Sequence, residues 1–176
     1  MASVSRSLHL PLSRRCPPVT ADPQLLADDL LRFIRDKIPL ARAMELRLHH
    51  YGDDALVLAA PLAPNVNDKG CAFGGSLASL MTLAGWALVE LELQRRGEDC
   101  DVFVGDSHVR YLEPVWDDFR AEARLADEAG FATFFATLAE RGKARIDVRC
   151  AVPGSGERPA ATLEARFVAK RRAGAQ

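Results

Sequence analysis

Apolar and polar positions change their period along this chain, and the changes mark its elements. From Asp22, a natural N-cap, with Pro23 at the first helical position, a helix is predicted to run to about Lys37. Leu26, Leu30, Phe33 and Ile34 share one face, and Asp28, Asp29, Arg32 and Arg35 are left for water. Pro39 ends it. Two strands follow, Met44 to His50 and Ala55 to Ala60, joined by a hairpin turn at Tyr51-Gly52-Asp53-Asp54.

The pattern then lengthens. From Phe73-Gly74-Gly75 a long helix is predicted in which Leu77, Leu80, Met81, Ala84, Leu88 and Leu91 form a core stripe, while Ser79, Thr82, Trp86 and Glu90 lie three or four residues apart on another face. The apolar run from Met81 to Leu93 is short and is interrupted by Glu90 and Glu92, so it reads as a core helix and not a membrane span.

Strand periodicity takes over near residue 102. Phe119, Ala121, Ala123 and Leu125 alternate with charged residues, as do Ala144, Ile146, Val148 and Cys150, and Leu163, Ala165 and Phe167. Val102 to Leu112 alternates less regularly, with Asp106, Ser107 and His108 in mid-strand. Phe131, Phe134, Phe135 and Leu138 recur at helical spacing, which predicts a short helix over a sheet edge or end. The order is α+β: a curved antiparallel sheet with the long helix against its concave side.

At 176 residues, one domain is expected, spanning 22–172 between a loose leader over 1–21 and a tail over 173–176, with roughly two-thirds of the unfolded chain's surface buried. A net charge of -1 supplies no field for nucleic acid or a membrane surface. Cys16, Cys71, Cys100 and Cys150 stand apart without metal-ligand spacing, so no metal site is expected and the thiols read as reduced, in a cytoplasmic protein. Cys71 sits near a helix start, where a thiol can be activated, but also suits a small apolar filler.

The candidate chemistry gathers at the head of the long helix. Gly74 and Gly75 leave the first backbone N–H groups unpaired and unobstructed, and such donors stabilise an oxyanion forming on a carbonyl. Asn67, Asp68 and Gly70 lie just upstream, although Asn67-Asp68-Lys69-Gly70 is also good turn chemistry. Ser79 and Thr82 can position water or ligand, or back-bond to the carbonyl four residues earlier. Trp86 suits core packing or a dimer contact as well as a substrate platform. A G-x-S-x-G nucleophile elbow and a G-x-G-x-x-G phosphate loop are both missing.

Asn67-Asp68-Lys69-Gly70, Phe73-Gly74-Gly75-Ser76-Leu77 and Val109-Arg110-Tyr111-Leu112-Glu113-Pro114-Val115 resemble the hotdog-fold thioesterases. The run N-x-N-D-K-G-x-x-F-G-G-S-L, with Gly85-Trp86 further along the helix, is similar to the YiiD C-terminal "putative thioesterase" domain family over about Leu25 to Lys170. The resemblance implies a hotdog: five or six antiparallel strands wrapped around the central helix, dimerised through the strand holding Val102 to Leu112. Such dimers can pair again into tetramers. It also implies hydrolysis of an acyl thioester of coenzyme A or acyl carrier protein at the subunit interface, with that carrier as part of the substrate and no separate cofactor.

Within this resemblance the Gly74 amide polarises the thioester carbonyl. Relatives with N-x-x-G-x-x-H-G-G carry His where this chain has Phe73, and an Asp where it has Thr82, seven residues past Gly75. The attacking water is expected to be held by Asn67, Asp68 and Thr82; threonine orients a water but cannot take its proton, so another carboxylate is needed. Asp68 is the first candidate, with Asp106 and Glu90 behind it. The acyl group is expected beside Phe73 and Trp86, with Ser79, Asp106, Ser107 and His108 as further substrate contacts. Arg141 and Lys143 are candidates for the phosphates of coenzyme A, though each also reads as solvated surface charge. The alternative is a non-catalytic hotdog that binds an acyl thioester or fatty acyl ligand.

Overall fold

The computed structural model describes residues 22–127 and 130–172. The expected leader over 1–21, the tail over 173–176 and Cys16 lie outside the described residues. Helix α1, Pro23–Lys37, starts where predicted: the Asp22 carboxylate accepts the Gln24 N–H at 2.9 Å, and Leu26, Ala27, Leu30 and Ile34 are buried. Pro39 does not simply stop the chain. It opens a second short helix, α2, Pro39–Ala43. Ile38 takes the extended conformation (φ -113, ψ 100) that a residue before proline prefers, while proline's fixed φ suits a first helical position.

Strands β1, Arg47–Gly52, and β2, Ala55–Ala60, form the hairpin. Its turn is tighter than expected, because Tyr51 and Gly52 belong to β1 and pair with Leu56 and Ala55. Asp53 (φ 51) and Asp54 (φ 56) are both left-handed, as a two-residue turn matching the strand twist requires.

Helix α3 is Gly74–Arg95, followed by β3, Cys100–Tyr111, β4, Phe119–Leu125, α4, Gly130–Arg141, β5, Lys143–Pro153, and β6, Pro159–Arg171. The six strands form one antiparallel sheet in the order β1-β2-β4-β5-β6-β3. Phe119, Ala121, Ala123, Ile146, Val148, Leu163, Ala165 and Phe167 from its inner face join α3 in one core. α3 is long and apolar enough to cross a bilayer, yet half of it is buried within this fold, including Leu80, Met81, Leu88 and Leu91. Contact is closest at Gly85, where an added β-carbon would stand 3.0 Å from the Phe167 ring and 3.3 Å from the Cys150 sulfur. α4 packs on β5 through Phe134 and Leu138.

The irregular alternation in β3 has a physical cause. Its register with β6 shifts between Val104 and Asp106, so Gly105 is the extra residue of a bulge. Before the bulge, Val102 and Val104 lie opposite the inward Ala169 and Phe167; after it, Ser107, Val109 and Tyr111 lie opposite the inward Ala165, Leu163 and Ala161. Asp106, His108 and Arg110 are thereby turned to the outer face, across from Arg166, Glu164 and Thr162.

Phe167 is fully buried beneath Gly85, so Phe167→Ala should destabilise the protein by about 3–5 kcal/mol. Urea unfolding should show a lowered midpoint at an unchanged slope.

Candidate functional site

The loop leading into α3 is held by two asparagines with different tasks. Asn65 is buried, and its side-chain amide N–H groups donate to the Met44 and Pro61 carbonyls at 3.0 and 2.8 Å, while its backbone carbonyl accepts the Phe73 N–H at 2.7 Å. Asn67 closes the turn: its side-chain oxygen accepts the Lys69 N–H at 2.8 Å and the Cys71 N–H at 3.3 Å, and its amide donates to the Cys71 sulfur at 3.2 Å. Gly70 takes the left-handed φ of 87 that this turn needs. Cys71 is thus buried as part of the turn's packing. Asn65 was not among the residues singled out from sequence, although it stands in the same N-x-N motif as Asn67.

These constraints deliver the chain to Phe73, the N-cap of α3, which makes no side-chain capping bond. The Phe73 carbonyl accepts the N–H groups of Ser76 and Leu77 at 2.9 and 3.1 Å. Among the described residues, no partner takes the N–H of Gly74 or Gly75, the two donors that a helix start leaves orphaned. Phe73 is 56% exposed, and its ring folds back over Gly75, where an added β-carbon would meet it at 2.3 Å. From the end of β3, the Tyr111 hydroxyl donates to the Gly74 carbonyl at 3.0 Å. The loop after β3 is tied in as well, since Ala72 N–H donates to the Val115 carbonyl at 2.8 Å.

Below this mouth, Gly75, Ser79, Thr82 and Trp86 form a half-buried stripe of α3. The Trp86 indole N–H donates to the Val102 carbonyl at 3.1 Å, which ties the lower end of the stripe to β3 as a packing contact. Val104 and Ser107 lie on the helix side of β3 yet remain exposed, Val104 by 43%. An open cleft therefore runs between α3 and β3, headed by the two free amides and lined by small hydroxyls. Thr82 lies about 10 Å along the helix from Gly75, at 1.5 Å per residue.

The other sequence-derived candidates are not gathered there. Asp68 lies on the exposed turn, 80% of its side chain in solvent, with both carboxylate oxygens 3.0 Å from Lys69 Nζ. Ser107 shares the cleft, but Asp106 and His108 face the opposite side of the sheet because of the bulge. Glu90 is buried and accepts from the Gln94 amide at 2.9 Å, but lies about 24 Å down the helix from Gly74. Arg141 and Lys143 are at the far end of the sheet: Lys143 pairs with Lys170, whereas Val152 and Tyr111 both pair with Ala161 near the mouth. Lys143 and Val152 stand nine residue steps apart along β5, about 30 Å.

The outer face is built differently. Arg166 forms a two-pronged bond to Asp147 at 2.8 and 2.9 Å, and this holds the Asp147 carboxyl below its usual range. A shallow cavity of about 880 Å³ opens on the same face among His108, Arg110, Arg124, Arg149 and Glu164, and another of about 480 Å³ near Arg47, Trp116 and Arg120. Neither includes Phe73, Gly74, Gly75 or Thr82. The smaller one is also lined by Pro61, Pro114, Val115, Trp116 and Phe119, and the unpartnered Gly74 and Gly75 amides lie outside both. The interior thiols are inert by environment: burial pushes Cys150 up to about 12, and burial, reinforced by the Glu98 carboxylate, pushes Cys100 up to about 11.

Comparison with known proteins agrees with this architecture. A protein of unknown function from Chlorobaculum tepidum is 31% identical, with a TM-score of 0.81 over 85% of this chain and 97% of its own. A structure described as a putative thioesterase from Shewanella oneidensis is 29% identical, with a TM-score of 0.74 over 84% of this chain and 99% of its own. A Haemophilus influenzae thioesterase, 14% identical over 82% of this chain and 90% of its own, shares the fold with a TM-score of 0.63. The family described as "Putative thioesterase (yiiD_Cterm)" matches residues 27–171. With its six-stranded sheet curved around α3, the chain belongs to that hotdog-fold family of thioesterases.

Proposed function

We propose that the protein hydrolyses acyl thioesters of coenzyme A or acyl carrier protein in the cleft between α3 and β3. One observation carries the reading: the first two amides of a buried apolar helix stand uncapped and unpartnered at the head of an uncovered cleft. The thioester oxygen binds the Gly74 and Gly75 N–H groups, aided by the positive end of the helix dipole. A water held by Thr82 of a second copy, since Thr82 of the same helix stands about 10 Å from Gly75, adds its oxygen to the carbonyl carbon while its proton passes to a carboxylate. Collapse of the tetrahedral intermediate breaks the C–S bond, and the thiol leaves with a proton as the free acid is released. The acyl chain lies against Phe73 and Trp86, near Ser79 and Ser107.

Asp68 is assigned the base. It is a carboxylate of the turn that feeds the helix; paired with Lys69 and 80% in solvent, it is within reach of a site completed by a second copy. Support for a homodimer comes from β3, a 12-residue edge strand whose Phe103 is 57% exposed and whose outer side pairs with no strand among the described residues. Two β3 strands paired antiparallel about their middles bring the Arg141–Lys143 end of one copy beside the Gly74 end of the other. The phosphates of coenzyme A belong there. Thr82, standing where relatives carry Asp, favours the second reading, a hotdog that binds an acyl thioester without turning it over.

Sedimentation should give a particle of twice 19.2 kDa, and Val104→Lys, which places a charge beside the proposed seam, should shift it toward monomer. A panel of short-, medium- and aryl-acyl-CoA substrates tests the activity; a folded protein inert to all of them leaves the binding reading. Gly74→Pro deletes one donor at a position made for proline, since Phe73 is already extended (ψ 131) and Gly74 is the first helical residue. It should lower kcat by about 10²–10³ with the fold intact. Asp68→Asn should abolish turnover while binding persists; unchanged turnover moves the base elsewhere.

A further inference from the structure

The bond from Tyr111 to the Gly74 carbonyl has no structural need behind it. Inside an α-helix that carbonyl already accepts the N–H four residues on. Tyr111 is itself 55% exposed, so its hydroxyl could be hydrated by solvent. The bond nonetheless forms at 3.0 Å, and the ring lies 3.4 Å from where a Gly74 β-carbon would stand. Tyr111 is well anchored: it pairs with Ala161, and the following Leu112 and Glu113 N–H groups both donate to the Ala160 carbonyl, at 2.8 and 3.1 Å.

What the bond acts on is a peptide plane. The Gly74 carbonyl and the Gly75 N–H belong to one rigid unit and point in opposite directions. A donor fixed on the oxygen therefore fixes the N–H, and it also polarises that N–H, because hydrogen bonds in series strengthen one another. The two residues flanking this plane are glycines, which offer no side chain to hold it, and the N-cap Phe73 contributes no capping bond. Tyr111 adds from β3 a second donor to the one helix bond that this carbonyl already accepts.

We infer that Tyr111 is a positioning residue for the oxyanion donor: its hydroxyl holds and polarises the Gly74–Gly75 peptide so that the Gly75 N–H meets the charge developing on the thioester oxygen. This rests on the thioesterase reading above. It also gives a task to a residue of the Val109–Val115 motif that the fold alone does not explain.

The test uses Tyr111→Phe, which keeps the ring against Gly74 and removes only the hydroxyl. Two ligands accompany it: an acyl-CoA analogue with a trifluoromethyl ketone, whose hydrated form imitates the tetrahedral intermediate, and a matching thioether without a carbonyl. Tyr111→Phe should lower kcat about ten-fold while KM stays within about two-fold, as expected when an outer partner of a reactive group is lost and the effect falls on the transition state. Ketone affinity should fall by a similar factor, with thioether affinity and Tm unchanged. Wild-type kinetics, a change in KM alone, or equal weakening of both analogues would overturn the assignment while leaving the thioesterase reading standing. A wild-type protein that is inert to the substrate panel and binds the ketone no better than the thioether would remove that reading, and this inference with it.

Discussion

Enclosing α3 is the constraint on which the structure depends. A helix with Leu77, Leu80, Met81, Leu88 and Leu91 around most of its circumference cannot rest on a flat sheet with its back in water. Each such side chain contributes about 1.5–3 kcal/mol when buried, so the stable arrangement is a sheet that bends around the helix. Small residues permit the closeness: Gly85 admits the Phe167 ring, and Ala84, Ala121, Ala123 and Ala165 keep helix and strands near each other. The wrapping is incomplete along one stripe. There the helix carries Gly75, Ser79 and Thr82 in place of leucine, and the uncovered stripe becomes the cleft.

The parts of this arrangement that were legible in the sequence are those governed by short-range rules. Asp22-Pro23 starts α1 because capping chemistry is local, α3 begins at the Phe73-Gly74-Gly75 run where the helical period begins, and the alternation in β4, β5 and β6 follows from one face being dry. Pro39 ends α1 as expected, and the unexpected helix after it arises because proline forbids continuation of the old helix and equally favours the start of a new one. Asp106, Ser107 and His108 could not be sorted by face because a single bulged residue, Gly105, resets the phase of the strand. Without it, Asp106 and His108 would look into the cleft and Ser107 away. Tyr111 lay within a recognised motif, but its bond to Gly74 spans 37 residues, and no periodicity reports such a contact.

The two halves of the proposed chemistry are encoded with unequal strength. Oxyanion donors are backbone groups: any chain that begins a helix at this point of the fold presents them, provided the residues are small enough to leave them open. The base is a side chain, and a side chain can be exchanged without disturbing the fold. That asymmetry explains how the amide half can be intact at Gly74 and Gly75 while the helix position two turns on holds Thr82. Fold and family membership therefore speak more directly to where a carbonyl would bind than to which group removes a proton.

Cleft and sheet edge are also linked through β3. Val104, Ser107, Val109 and Tyr111 face the helix, while the same strand's outer backbone is the open end of the sheet. A strand paired to that edge would extend the sheet past the cleft and bring a second α3 alongside, so association and site formation draw on the same residues. The bulge serves both: it turns Asp106, His108 and Arg110 toward the charged outer face, opposite Arg166, Glu164 and Thr162, and it leaves the inner side apolar except for the Ser107 and Tyr111 hydroxyls. Desolvating a carboxylate and an arginine inside a seam costs several kcal/mol per ion, so a β3 without its bulge would oppose the association that would cover its cleft.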